Sequence, residues 1–188
     1  MSSIAMEQIV DEIIQNAQTR NTLMVPMLPH DLVIHNPDGT ILTFPKVGTS
    51  IRATTQESKS GGKLKNGVNW IHPPEVSGLE LVPDVNQVTP WSCIGTRWYE
   101  LVGVLRHDKL GKFLLAKDCE IVIVVSEFAA REIPSALFDF PLYPQIKFAY
   151  PDTGNASVVR DQRGVIIGVK RLIMVKLEGG FLVPKKKL

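Results

Sequence analysis

Residues Phe148 to Ile173, FAYPDTGNASVVRDQRGVIIGVKRLI, gather the side chains of this chain best suited to chemistry. Asp152, Thr153, Gly154 and Asn155 make a short loop. Glycine and asparagine there tolerate the left-handed backbone that turns successive N–H groups toward one oxyanion. Arg160, Lys170 and Arg171 stand at the ends of two predicted strands joined by a turn at Arg163-Gly164. Such a set holds an anion by charge-assisted hydrogen bonds and supplies no acid, base or nucleophile. Side chains alternate along a strand, so Lys170 and Arg171 point to opposite faces and at most one shares a site with Arg160. The same cations also serve as edge charges that deter strand aggregation, and the sequence leaves both roles open.

Catalytic patterns are weaker. Ser126 precedes a predicted helix, but no GxSxG elbow surrounds it. The histidines at 30, 35, 72 and 107 show no spacing that identifies a base. His30-Asp31 and His107-Asp108 are the only His-Asp pairs, and surface or turn positions explain them as well as metal-dependent phosphodiester chemistry does. GxxxxGK[ST] is absent, as is GxGxxG after a strand, which argues against nucleoside triphosphate hydrolysis. Catalytic residues, metal ligands and cofactors are accordingly all read as none.

The net charge of +2 argues against sequence-independent nucleic-acid binding, which needs an excess of Lys and Arg on one face; local patches stay open. Cys93 and Cys119 lie far apart without CxxC spacing, as expected of reduced thiols in a cytoplasmic protein. No run of about 18 apolar residues suggests a membrane span, and the N-terminus lacks the pattern of a signal peptide. At 188 residues with 44% hydrophobic content, one domain is expected over 1–188.

Positioning these residues requires an α+β fold, mainly antiparallel sheet built from hairpins, with an N-terminal helix and one short helix after a central strand. Met6, Ile9, Val10, Ile13, Ile14 and Ala17 recur at helical spacing within the 1–20 segment, with Ser2 or Ser3 as cap, and must pack on this domain or a partner subunit. Asn36-Pro37-Asp38-Gly39 predicts a hairpin between Leu32–His35 and Ile41–Phe44. A turn at Lys46-Val47-Gly48 leads into a strand carrying Arg52. Residues 59–66 read as a loop or hairpin tip, and 68–112 as irregular. The tryptophans at 70, 91 and 98 are expected to fill a core, with base stacking as the alternative. EIVIVV (120–125) predicts a strand buried on both faces, followed by a helix that Ser126 caps and Pro134 limits. Strands are expected over 142–150, 157–160 and 165–177, with 57–115 as an insertion or elaborated loop region. Residues 178–188 read as a flexible tail whose Lys185–Lys187 are solvated.

The block MLPHDLVIHNPDGTILTFPKVGTSIRA (27–53) resembles the NLTPHxVxIxxxDG…PxSGxxxR opening of a family of small bacteriophage and prophage proteins. IVIVVSEFAAREIP and YPDTGNASVVRDQRGVIIGVKRL resemble its later blocks, in the same order. Leu28 stands where the family has Thr, the N-terminal helix is extra, and 57–115 is an enlarged middle. This family is similar to the Thoeris anti-defence protein 1 sponges. That resemblance implies a homo-oligomeric protein of the host cytoplasm that binds cyclic ADP-ribose type signals or cyclic oligonucleotides without hydrolysis. It assigns ligand contacts to Arg52, Asn155, Arg160 and Arg171 beside the Asp152-Thr153 loop, and a stacking surface to Phe148 or Tyr150. A module that inhibits a host protein and a nucleotide-cleaving phosphodiesterase are the alternatives.

Overall fold

The computed structural model describes residues 3–56, 59–71 and 75–177. Helix α1 (Ser3–Ala17) leads into β1 (Thr22–Pro26), the hairpin β2 (Leu32–His35) and β3 (Ile41–Phe44), then β4 (Thr49–Thr55). The short strands β5 (Ser60–Lys63) and β6 (Asn69–Ile71) precede β7 (Val76–Pro83) and a 3-10 turn at Trp91–Ile94. Helices α2 (Trp98–Leu105) and α3 (Asp108–Lys117), β8 (Glu120–Val124), α4 (Glu127–Ala136) and β9 (Ile146–Pro151) follow. The described chain closes with β10 (Val158–Arg160), β11 (Ile166–Val169) and β12 (Leu172–Met174). The fold is α+β and most strand pairs are antiparallel, as the hairpin signals predict. The proposed cap Ser2, His72 with its two following prolines, and the tail 178–188 with Lys185–Lys187 lie outside the described residues.

The central sheet runs β1-β8-β9-β12, with β1, β8 and β9 parallel and β12 antiparallel. Strand β8 is buried on both faces because two layers compete for its alternating side chains. Ile121 and Ile123 join the helices in one cluster with Ile13 of α1, Leu101 and Leu105 of α2, Leu110 and Leu114 of α3, and Ile133 of α4. Val122 and Val124 join Leu28, Leu32, Ile34 and Phe44 in a second. That second layer is the sheet β10-β11-β2-β3. Helix α1 thus buries its stripe in its own domain.

Two sequence expectations change. The 57–115 segment is not only loop: its second half supplies α2 and α3, whose Leu101, Leu105, Leu110 and Leu114 are fully buried. Its first half supplies β7, which pairs with β4 as a two-stranded ribbon, and between these strands in the sequence lie β5 and β6, paired with each other. The strand expected over 165–177 is two strands. The chain leaves the second sheet after Val169 and enters the central sheet at Leu172, so Lys170 and Arg171 sit at a crossing between layers. Strict alternation across them does not apply. Among the described residues, no helix is long and apolar enough to cross a membrane.

Tight packing fixes the helices against this core. Gly111 of α3 is buried, and a Cβ added there would lie 2.1 Å from the Tyr143 ring, which is itself held by a 3.0 Å bond from its hydroxyl to Asp108. Gly→Ala within a helix ordinarily stabilises by about 0.5–1 kcal/mol. At this position we expect Gly111→Ala to destabilise by about 1–3 kcal/mol through overpacking, measured by urea denaturation. A stabilised variant would contradict the packing described.

Candidate functional site

The chain brings cations together in two places. One is the crossing between the sheets. Asp152 accepts a 3.0 Å bond from the Gly154 N–H and a 2.5 Å bond from Arg171 Nε. Its own N–H donates to the Arg171 carbonyl. The Ser157 and Val158 N–H groups both donate to the Gly154 carbonyl, and the Lys170 N–H donates to Ser157. The PDTG loop therefore turns these donors inward and uses them to hold the strand switch. Asp152 is the brace of this arrangement: its side chain is 11% exposed, against 67% for Arg171. Arg160 donates 2.7 Å to the Gly164 carbonyl and staples its own hairpin turn. Thr153 and Asn155 are exposed.

Phe148 cannot serve as a stacking surface. It is fully buried and faces Trp98 with ring centroids 6.2 Å apart. Tyr150 is half-buried on the same face of β9 and packs on the same core. The alternation that puts Ile146, Phe148 and Tyr150 on the helical side of the sheet gives the physical reason.

The second place is a cavity of about 260 Å³ at the base of the ribbon. Seven of its eleven lining residues, Leu28, Pro29, Lys46, Gly48, Thr49, Ser50 and Arg52, come from the 27–53 block. The others are Val82 to Val85, brought opposite by the β4–β7 register, in which Thr49 meets Pro83. Gly48 makes the close approach possible: its φ is +79°, and a Cβ there would lie 2.9 Å from the Gln87 carbonyl. The Asp84 N–H donates 2.7 Å to the Gly48 carbonyl, and Gln87 Nε2 donates 3.0 Å to that of Lys46. These bonds tie the segment after β7 across the turn before β4.

Charges in the cavity are unequal in freedom. Lys46 pairs with Asp84 at 2.6 Å, and the hydrogen bond from Lys46 holds the Asp84 carboxyl below its usual range. Arg52, exposed on β4 opposite Glu80, enters no hydrogen bond or ion pair among the described residues. Leu28, Pro29, Val82, Pro83 and Val85 give apolar walls. A free guanidinium beside a neutralised ion pair and apolar walls can hold an anionic group whose attached body is flat or apolar.

Of the residues expected to bind ligand, then, Arg52 alone lines the cavity; Asp152, Thr153, Asn155 and Arg171 belong to the crossing, and Arg160 sits at the far, turn end of the β10–β11 hairpin. Sequence reading placed Lys46 in a turn and overlooked Asp84, whose contribution depends on pairing across 38 positions. Two of the groups considered for catalysis are helix caps. Ser126 accepts from the Ala129 N–H to cap α4, and His107 accepts from the Lys109 N–H to cap α3. Cys93 is exposed and Cys119 buried, both as free thiols, and burial raises the Cys119 thiol above its usual range. No group of three His, Cys, Asp or Glu side chains among the described residues is arranged to hold a metal ion. No family model, curated protein or solved structure matches the chain.

The crossing has a pH signature. The bond from Arg171, then that from the Gly154 N–H, lowers the Asp152 carboxyl below its ordinary range. A carboxyl depressed by folding stabilises above its unfolded value, about 3.9, and that stability is lost as pH falls through the folded value. Asp152→Asn should therefore be less stable than the parent at pH 7, with the difference shrinking below about pH 4. Denaturant melts at pH 7, 5 and 3 measure it. A constant difference would show that Arg171 and Asp152 do not interact as described.

Proposed function

We propose that this chain is a phage anti-defence protein that binds and sequesters a cyclic nucleotide immune signal without cleaving it. The signal is of the cyclic ADP-ribose type or a cyclic oligonucleotide, held in the host cytoplasm by a homo-oligomer, as the resemblance to the nucleotide sponges implies. The observation that supports this reading is the Arg52 cavity. It is built chiefly from the block that carries the resemblance, and it offers one uncommitted cation between apolar walls. At about 260 Å³ it lies just below the roughly 300–1,000 Å³ of clefts that enclose whole small ligands, so it would enclose one moiety of a cyclic nucleotide and leave the rest outside.

A protein-binding module is the second reading, favoured by exposed Ile41 and Leu42 on β3 and Ile166 and Ile167 on β11, in the outer sheet. Calorimetric titration with cyclic ADP-ribose isomers and cyclic di- and trinucleotides separates the two. Sequestration predicts saturable binding, recovery of the intact ligand after heat denaturation, and an affinity lowered about 10- to 150-fold in Arg52→Ala, since a hydrogen bond to a charged group contributes about 1.5–3 kcal/mol. A flat panel, or recovery of a cleaved product, would overturn it.

A further inference from the structure

The tip of the ribbon, residues 59–71 (KSGGKLKNGVNWI), concentrates positive charge. Lys59, Lys63 and Lys65 stand there without one acidic residue, a formal +3 against +2 for the whole chain, which leaves a net −1 on everything else. That makes a local basic pole, bounded in the sequence by Glu57 and Glu75. Strands β5 and β6 pair chiefly with each other. A two-stranded ribbon of this kind has little apolar burial to hold it and reads as a presenting element.

Trp70 is set into that pole. Its ring lies against the backbone of Gly61, where an added Cβ would fall 2.1 Å from a ring carbon, so only glycine permits the contact. The ring remains 41% exposed, while Trp91 is 5% exposed and buried in the core. Lys63 pairs with Asn69, the residue before Trp70, and Lys59, Lys65 and Asn66 are exposed as well. Lysine is depleted at protein–protein interfaces but suits phosphate, and an aromatic face takes any unstacked base. Lys65 and Asn66 occupy the turn itself, so a polar apex would have to enter a bilayer first, which disfavours membrane insertion.

We infer that the ribbon tip is a contact for single-stranded nucleic acid: Trp70 stacks on a base while Lys59, Lys63 and Lys65 neutralise the flanking phosphates. The contact is weak and sequence-tolerant, and it shares no residue with the Arg52 cavity.

Titration of labelled dT12 by anisotropy, with tryptophan quenching read in parallel, tests it. Three neutralised phosphates predict a slope of log affinity against log salt of about −2, and a dissociation constant of about 10⁻⁵–10⁻⁴ M at low salt. Lys63→Glu with Lys65→Glu should weaken binding at least tenfold. Trp70→Ala should weaken it about 5- to 100-fold while keeping the salt slope, and Arg52→Ala should bind as the parent does. The altered residues are exposed, and melting temperatures near the parent's confirm that the variants fold. No anisotropy change at 20 mM salt, binding that survives both tip variants, or loss of binding in Arg52→Ala would each overturn the proposal. So would capture by phosphatidylglycerol vesicles without any binding of dT12.

Discussion

Strand β8 has no face that meets water. Ile121 and Ile123 go to the helices, Val122 and Val124 go to the outer sheet, and these four are each no more than 6% exposed. Burying both faces of a strand requires one layer above and one below, and the helices and the outer sheet meet that demand. The helices cover one side, the β2–β3 hairpin covers the other, and β1 and β9 pair along its two edges. Leu28, the first residue of the second layer's cluster, also lines the cavity, so the packing that completes the core fixes one wall of the candidate site.

The two cationic places differ in what their charged groups already hold. At the crossing Asp152 takes the Gly154 N–H and Arg171, and at the turn end of the hairpin Arg160 holds its own turn, while the Lys170 side chain stays exposed. At the ribbon base the reverse holds, because Asp84 satisfies Lys46 and leaves Arg52 to solvent. A cation already bound to a buried carboxylate gains less from a ligand than one that has only water to lose. Arg52, in the opening block, is therefore better placed to gain from an anion than Arg171 in the closing one.

The legible parts of the fold were those with strong local signals. The stripe of α1, the NPDG hairpin, the β-branched run of β8 and the Ser126 cap each depend on neighbours within a few residues, and each formed where expected. Helices α2 and α3 were hidden by the prolines and glycines around them, and their buried leucines carry no sign of which layer they complete. Strand β1 ends in Pro26 and is only five residues long. The switch at Lys170-Arg171 is set by Asp152 and Ser157, more than ten residues earlier, so no local pattern announces it. In the site, the strand that carries Arg52 was legible from the Lys46-Val47-Gly48 turn before it. The burial of Phe148 was not, because a strand's period says which residues share a face and not which face is covered.

The central claim is that the Arg52 cavity, and not the crossing, receives the ligand. Backbone amide chemical shifts of the labelled full chain, recorded with and without a cyclic nucleotide that binds, test it most directly. The account predicts that the largest changes fall on residues 28, 46–52 and 82–85, with little at 152–171. Changes confined to 152–171, or none at the ribbon base, would contradict it.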